Sequence, residues 1–390
     1  MQPRLQIHFW GRQWHSFHFF GVIGFILATL LGLFLAWLTG RSAGVILLMS
    51  GSGLLSFLGL AYLWKILSGN ENLVYYQHEI SILIFCTVVL FIIGRPILPY
   101  LDITIQGIGL FLVFGRFGCF SVGCCHGKPY KTGVSYSKQH AKTGFPNYLV
   151  GVNLFPIQLV ESFLVLVIVF GGIAILFRDF PAGTVIIWHT VCYGFARFIL
   201  EYFRGDPERP YWKGFSEAQW TSFALIEFSM IAAYFGLLPQ YGQHIAAGLI
   251  LTLYMIGSPF LHKLLLGRNV NQAFTPRHLH ELLTMLDETT NDHNGHAEDG
   301  EASNVRVFNS SQGVSISLGK STLPGQDVYF YTVSFNFPKS FTGTDKGVEN
   351  VALFLREVRH QQTRLEIIKR SNNIYHLVYT KFFNKDTPTN

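Results

Sequence analysis

The sequence predicts an all-α polytopic membrane protein of seven or eight transmembrane helices, followed by a small C-terminal soluble α+β domain. Of the 390 residues, 49% are hydrophobic and only 13% are charged, a balance too apolar for a soluble domain. The 36 Phe and 38 Gly fit membrane helices in which small residues let neighbouring backbones approach closely. The net charge of +6 does not indicate nucleic acid, because the basic residues are scattered around apolar spans. Anionic lipid is therefore the expected partner, and nucleic acid is not.

Eight apolar runs define the predicted helices. Each is about long enough to cross a hydrocarbon core of roughly 30 Å. The runs lie near residues 17–39, 44–66, 79–98, 103–120, 154–176, 182–203, 218–236 and 243–263. Only LPQYGQ, residues 238–243, separates the last two, so the count is seven or eight. The first run exceeds a signal-peptide core and is expected to remain as an anchor.

The composition changes sharply after Gly267, which predicts three regions: a transmembrane domain over 1–267, a polar linker over 268–304 and a soluble domain over 305–390. In the last region VRVFN, VSISL, VYFYTVSFNF and IYHLVYTKFF alternate like strands. The segment Val348–Ile368 has helical periodicity. Nothing there indicates catalysis, which favours an accessory or interaction module whose partner is unknown.

A polar, thiol-rich segment closes the fourth run. The stretch GRFGCFSVGCCHG, residues 115–127, places Arg116, three thiols and His126 at the edge of the membrane. A guanidinium at mid-bilayer costs roughly 2.5 kcal/mol or more, so it normally has an anionic partner. Arginine is also well shaped to hold phosphate through two parallel hydrogen bonds. The segment therefore indicates a site for a phospholipid head group.

Four polar side chains share one face of the sixth predicted helix. They occupy positions i, i+4, i+8 and i+11: Tyr193, Arg197, Glu201 and Arg204. Such a face should point into the bundle or a wet cavity rather than at lipid. Glu201 can pair with Arg197 or Arg204, which leaves one net positive charge for a ligand. The alternative is an interhelical salt-bridge cluster that only fixes packing.

The fifth run opens FPIQLVESF and places Gln158 and Glu161 on one face. A carboxylate near a helix start complements the helix dipole, so helix-start chemistry alone can explain this pair.

Two further polar residues precede the Arg116 segment. His78 lies before the third run, where it is either structural or suited to proton transfer near neutral pH. Asp102 is either a distant ion partner of Arg116 or a loop acid.

In this order, the motifs resemble those of the bacterial prolipoprotein diacylglyceryl transferases over roughly residues 7–236. The motifs are HFFG (His18–Gly21), His78, Asp102, the Gly-Arg-x-Gly signature from Gly115 running to Gly127, Pro-x-Gln-Leu-x-Glu (Pro156–Glu161) and Tyr-Gly-x-x-Arg-Phe-x-x-Glu-x-x-Arg (Tyr193–Arg204). The resemblance departs at Cys119, where the family signature carries Asn, and at Cys124, where it carries Glu.

The resemblance implies an enzyme that moves diacylglyceryl from phosphatidylglycerol to the lipobox cysteine of a prolipoprotein precursor, without metal or nucleotide. It implies that Arg116 and Arg197 clamp the phosphate and that His78 deprotonates the incoming thiol. The substrate-binding residues it implies are Arg116, Cys119, Gly127, Tyr193, Glu201 and Arg204. It also implies a multi-pass location in the bacterial inner membrane, with the Arg116 loop outside. The positive-inside rule favours the opposite orientation.

Two other functions remain open. One is a non-catalytic phospholipid sensor, or a paralogue with another acceptor. The other is a membrane protein that binds metal through Cys119, Cys124, Cys125 and His126. The C-x4-C-C-H spacing matches no common structural zinc pattern, and the usual role of Cys on a crowded helix is as a small apolar residue.

Overall fold

The computed structural model describes residues 3–69, 73–206, 210–266, 276–292, 307–311, 313–322, 328–337, 345–359, 363–371 and 373–382. Through residue 200 its elements are β1 (Gln6–Phe9), β2 (Arg12–His15), α1 (Ser16–Leu38), α2 (Ala43–Ser68), α3 (Tyr75–Ile92), α4 (Ile97–Val122), β3 (Pro129–Val134), α5 (Lys138–Ala141), α6 (Ile157–Leu176) and α7 (Thr184–Leu200). The later elements are β4 (Tyr211–Trp212), β5 (Phe215–Ser216), α8 (Glu217–Tyr234), α9 (Gly242–Leu266), α10 (Pro276–Asp292), β6 (Val307–Asn309), β7 (Ser315–Thr322), β8 (Val328–Asn336), α11 (Asp345–Arg359), β9 (Arg364–Lys369) and β10 (Ile374–Phe382).

The chain forms two compact units. The helical unit comprises residues 1–126, 156–204 and 212–259, and the sheet unit comprises 127–155, 205–211 and 260–390. The predicted membrane protein with a sheet-containing C-terminal region is therefore confirmed in outline.

Within the described ranges, five helices are long and apolar enough to cross a membrane: α1, α2, α3, α4 and α6. Their outward surfaces are apolar, as Leu55, Phe91 and Phe170 illustrate, each more than 60% exposed within the protein alone. The runs near 182–203, 218–236 and 243–263 form α7, α8 and α9. The chain is a multi-pass membrane protein, while the count of seven or eight spans stays a prediction.

Helix α4 is the centre of the helical unit. More than half of its apolar window (56%) is buried inside the protein, compared with 33% or less in the other four candidate spans. Small residues bring its neighbours close, because a side chain on Gly24 of α1 would come within 2.8 Å of the Phe114 Cβ atom. On the α6 side the Ser162 hydroxyl donates to the Val113 carbonyl at 3.0 Å. The residues near the end of α4 therefore lie where neighbouring helices converge.

The sheet unit contains a five-stranded antiparallel sheet in the order β6-β7-β8-β10-β9. Alternate residues of β8 and β10 point into its core, and Val333 pairs with Leu377 across the two strands. Helix α11 covers this face, where the Tyr379 hydroxyl donates to the Ala352 carbonyl at 3.0 Å. The four predicted strands are present as β6, β7, β8 and β10.

The single helix predicted over Val348–Ile368 is wrong in its second half. Helix α11 ends at Arg359, and Arg364–Lys369 forms the edge strand β9. In β9, Leu365 pairs with Tyr379 and Ile367 pairs with Leu377. The open edge of β10 decides this outcome, because tertiary pairing overrides a short local helical pattern.

The connection between α4 and α6 belongs to the core of the sheet unit. Its buried residues Tyr148 and Leu149 join one hydrophobic cluster with Leu283 of α10 and with Val333 and Leu377 of the sheet. The Tyr148 hydroxyl also contacts His280 Nδ1 at 2.7 Å. The small domain therefore takes part of its core from residues that precede α6, not from 305–390 alone.

The predicted linker over 268–304 differs from the structure where α10 begins. Residues 276–292 form this helix, and Leu282, Leu283 and Leu286 are buried in the shared cluster. Burial of this helix is favourable because the three leucines share one face. The other residues of the segment are mostly polar, which is why the composition predicted a linker. The rest of the predicted linker, 268–275 and 293–304, lies outside the described residues, as does the predicted domain boundary at 304/305.

Replacing Leu149 by Ala should destabilise the whole sheet unit by about 2–5 kcal/mol, because the truncation leaves a cavity in the shared core. Limited proteolysis of the full-length protein should then cut residues 307–382 faster than in the wild type. Ile367→Ala is the matched control, since Ile367 is 37% exposed on an edge strand. Equal protection of the Leu149→Ala and wild-type tails would contradict a shared core.

Candidate active site

Arg116 lies in the last turns of α4 and is only 6% exposed. Helix α4 ends at Gly123, whose φ of 85° is left-handed and whose N–H donates to the Cys119 carbonyl. Glycine suits this position because a side chain disfavours positive φ. The helix end thus holds Arg116 inside the bundle and starts the thiol-bearing loop directly after it.

The Glu161 carboxylate joins the two arginines. Its Oε1 lies 2.9 Å from Arg116 Nη2, and its Oε2 lies 3.7 Å from Arg197 Nη1. The Tyr193 hydroxyl donates to Oε1 at 2.9 Å. Glu161 is 1% exposed, so this carboxylate is the buried counterion of guanidiniums from both α4 and α7.

A second carboxylate holds Arg197 from the other side. Glu201 Oε2 lies 2.9 Å from Arg197 Nη2, which confirms one of the two pairings that the sequence allowed. Arg204, 2% exposed, is close enough for its charge to act on Glu161 together with the other two arginines. Three guanidiniums and two carboxylates give the cluster a net charge of +1 when all are ionised (3 − 2).

Within the described part of the chain, Arg116 Nε makes no hydrogen bond, and Arg197 Nη1 has only the Glu161 oxygen at 3.7 Å, which is too far for one. Leaving a buried charged donor without an acceptor costs free energy, of the order of 1–3 kcal/mol or more. Both atoms belong to the arginines that Glu161 brings together. An acceptor oxygen placed against these two atoms would remove that cost.

Aromatic side chains surround Tyr193. Its ring packs edge-on against Tyr75 and Tyr76 of α3, with centroids 5.2 and 5.7 Å away. The Tyr76 hydroxyl contacts the Ser222 hydroxyl of α8 at 2.7 Å. These contacts fix the direction of the Tyr193 hydroxyl and hence the position of the Glu161 carboxylate.

His78 is buried in the first half of α3, with its ring centroid 4.5 Å from that of Phe57. It lies on the same helix as the two tyrosines that contact Tyr193. The role of His78 as a base stays a prediction.

Asp102 is neither a partner of Arg116 nor a loop acid. It is buried in α4, where its carboxylate accepts from the N–H groups of Gly183 and Ile186 at 2.6 and 3.0 Å. It therefore satisfies the unpaired donors at the start of α7 and positions that helix.

The three thiols after Arg116 form a compact cluster. The Sγ atoms of Cys119, Cys124 and Cys125 all lie within 4.8 Å of one another. Cys125 has a left-handed φ of 55°, a conformation that costs a non-glycine residue about 1–3 kcal/mol. Hydrogen bonds from the other two thiols hold the pKa of Cys125 well below its ordinary value, and the charges of Arg204 and Arg116 act in the same direction. Gln158 Nε2 donates to the Cys124 carbonyl at 2.9 Å and braces the loop.

Gly127 belongs to the sheet unit. A side chain there would lie 2.4 Å from the Phe155 carbonyl oxygen, so only glycine fits. Its predicted contact with substrate stays a prediction, and the close backbone approach seen in the structure is to Phe155.

Two buried ionisable residues, Glu161 and Glu79, were not among the predicted site residues. Glu161 looked like a helix-start residue, although its i, i+3 spacing from Gln158 already placed both on an inward face. Glu79 of α3 lies 3.7 Å from His189 Nε2 of α7, a pair that the sequence analysis did not identify. A buried ionisable residue inside an apolar span was the available signal in both cases.

The fold and this site define the class: a polytopic membrane protein with a buried arginine–carboxylate cluster and a thiol loop beside it. A family model described as prolipoprotein diacylglyceryl transferase matches residues 15–235, more than half of the chain. The chain belongs to the prolipoprotein diacylglyceryl transferase family. The matched range includes every residue of the arginine–carboxylate cluster.

Two curated relatives carry the same description. The phosphatidylglycerol–prolipoprotein diacylglyceryl transferase of Clostridium tetani is 33% identical over 113 residues, which cover 28% of this chain and 43% of the relative. The phosphatidylglycerol–prolipoprotein diacylglyceryl transferase 2 of Clostridium perfringens is 25% identical over 128 residues, 28% of this chain and 42% of the relative. The chain thus spans less than half the length of these relatives.

Glu161→Gln should lower the unfolding temperature markedly, because it leaves two buried guanidiniums without their shared counterion. Breaking a buried ion pair costs about 3–5 kcal/mol. Thermal unfolding of the detergent-solubilised protein measures the effect. Glu217→Gln, an exposed change in the first turn of α8, should shift stability by no more than about 0.5 kcal/mol. Equal unfolding temperatures for the two variants would contradict the central position of Glu161.

Proposed function

We propose that this protein transfers the diacylglyceryl group of phosphatidylglycerol to the thiol of a prolipoprotein cysteine. The observation that carries the proposal is the buried Arg116–Glu161–Arg197 bridge, in which Arg116 Nε and Arg197 Nη1 make no hydrogen bond to any described residue. Membership of the family supports it, because the cluster lies inside the matched region.

The charge of the cluster suits a phosphodiester. A phosphatidylglycerol head group carries one negative charge, which complements the net +1 of the three arginines and two carboxylates. Arg116 and Arg197 would hold the phosphate oxygens, since planar guanidinium groups match this geometry. Tyr193, Glu201 and Arg204 would orient the two arginines. Cys119 would line the part of the site that holds the phospholipid head group.

The reaction breaks a carbon–oxygen bond. The acceptor sulfur, once it has lost its proton, attacks the glycerol carbon that is esterified to phosphate. A thioether bond forms, the C–O bond breaks, and glycerol phosphate leaves with the bonding electrons on its oxygen. Arg116 and Arg197 would stabilise that developing charge, a contribution worth several kcal/mol in a site that excludes water. His78 is the proposed base for the thiol proton.

The shared core supports eight membrane crossings. Residues 127–155 precede α6, the C-terminal strands follow α9, and both contribute to one hydrophobic cluster. A single core cannot extend through a bilayer, so the chain between them crosses an even number of times. Helices α6, α7, α8 and α9 supply four crossings, and α1 to α4 supply the other four.

We place the protein in the bacterial inner membrane, with the sheet unit and the 127–155 connection on the outer face, where exported precursors arrive. On this assignment residues 305–390 act as an accessory module built on that connection.

Replacing Arg116 or Arg197 by Ala should lower transfer by about 100-fold or more, because each removes charge stabilisation from the departing phosphate. The assay follows radiolabelled diacylglyceryl from phosphatidylglycerol to a lipobox peptide. Arg178→Ala is the control, since Arg178 is exposed between α6 and α7. Robust transfer by Arg116→Ala would overturn the clamp. Phospholipid binding without turnover in the wild type would favour the sensor.

Labelling of single cysteines should show on which side of the membrane each loop and the sheet unit lie. In a background with the five native cysteines replaced by Ser, Lys131→Cys and Ser371→Cys should react with an impermeant reagent from the same side. Asp179→Cys, between α6 and α7, should react only from the opposite side. Labelling of Lys131→Cys and Ser371→Cys from opposite sides would contradict eight crossings.

A further inference from the structure

We propose that Cys119, Cys124 and Cys125 bind a zinc ion, which takes the acceptor thiol as its fourth ligand and presents it as a thiolate. The proposal rests on the proposed transfer to a thiol and deepens it. It departs from the metal-free reaction that the family resemblance implies.

The geometry of the thiols fits zinc. In a tetrahedral site with Zn–S bonds of about 2.3 Å, sulfur ligands are about 3.8 Å apart. The three Sγ atoms here lie within 4.8 Å of one another, so shifts of about 1 Å or less would place them around one ion. Adjacent cysteines rarely direct both sulfurs to one point. Here the turn through Gly123 and the left-handed Cys125 accomplish this.

The number of ligands indicates an open site. Among the described residues, the cluster contains three cysteines and no fourth His, Cys, Asp or Glu ligand. Structural zinc sites are closed by four protein ligands, whereas reactive sites keep one position for water or substrate. Cys124 is exposed, so the cluster can be reached from outside the bundle. The fourth position is therefore available to an incoming thiol.

The surrounding charges balance such a site. A zinc ion with three thiolates carries a net charge of −1, and a fourth thiolate makes it −2. Arg116 lies one turn before Cys119 on α4, so its positive charge is on the same part of the helix as this thiol. Arg116 also belongs to the proposed phosphate clamp, so the same guanidinium links the phosphate and the thiol cluster.

The chemistry matches the need of the reaction. A thiol bound to zinc gives up its proton, and the resulting thiolate is the nucleophile. The proton passes to the general base, the sulfur attacks the glycerol carbon, and glycerol phosphate leaves. No oxidant or reductant is consumed. Cys119 and Cys124 are the two positions at which this chain departs from the family signature, and both departures supply a sulfur atom.

The test begins with metal binding by the full-length protein in detergent. Wild type should bind one equivalent of Zn²⁺, or of Co²⁺ with thiolate-to-cobalt charge-transfer absorption. Cys119→Ser, Cys124→Ser and Cys125→Ser should each weaken zinc binding by at least the roughly 10- to 100-fold that loss of a supporting residue costs. Cys86→Ser and Cys192→Ser are the matched controls and should bind zinc as wild type does. Equal binding by all five variants would overturn the site, as would recovery of a disulfide among the three cysteines.

A second experiment uses the wild-type protein and measures binding of the acceptor without any transfer. A lipobox peptide added to the Co²⁺ protein should strengthen the charge-transfer band, and the same peptide with its cysteine replaced by Ser should not. An unchanged band would overturn the role of the metal in holding the acceptor.

Transfer activity then separates this proposal from the proposed function. Removing zinc with a chelator should abolish transfer, and Zn²⁺ but not Mg²⁺ should restore it. Transfer that persists without zinc would overturn the metal proposal and leave the proposed function intact. A spectral response to the peptide with no transfer under any condition would support the thiol site and overturn diacylglyceryl transfer.

Discussion

The Glu161 carboxylate is the contact on which the buried site depends. Two guanidiniums from different helices lie inside an apolar bundle, where each would be costly without a counterion. By accepting from Tyr193 and pairing with Arg116 and Arg197, Glu161 ties α4, α6 and α7 together at one point. The two carboxylates still leave the three arginines in excess by one charge. The same contact thus makes the arginines tolerable in the membrane and leaves the cluster with a net charge of +1 when all five groups are ionised.

The neighbouring thiol loop adds sulfur atoms to a site whose other polar groups are arginines and carboxylates. Arginines suit a phosphate, whereas three sulfurs suit a soft metal or a thiol partner. Gln158 connects the two, because it donates to the Cys124 carbonyl from the helix that carries Glu161. Arg116 acts electrostatically on both sides. The two proposed substrates, a phospholipid and a cysteine-bearing acceptor, match these two kinds of group.

The sheet unit includes a segment that lies between two membrane helices in the sequence. Its core includes residues 127–155, which begin directly after the thiol loop and end directly before α6. The chain therefore enters this core directly after Cys124 and Cys125 and leaves it shortly before Glu161. Because one core cannot extend through a bilayer, the proposed number of crossings between residue 155 and the C-terminal strands is even.

The sequence by itself determined the membrane class, the four predicted strands and the burial of Tyr193, Arg197, Glu201 and Arg204, although α7 ends at Leu200, before the last two of these residues. These follow from local properties, namely hydrophobic run length and the 3.6- and 2-residue periods. Only the tertiary structure decided that Glu161 bridges two arginines, that Asp102 caps α7 and that Arg364–Lys369 is a strand. It alone showed that the three Sγ atoms lie within 4.8 Å of one another and that Leu149 belongs to the core of the sheet unit. Each of these outcomes depends on which partners packing brings within reach, and local periodicity does not contain that information.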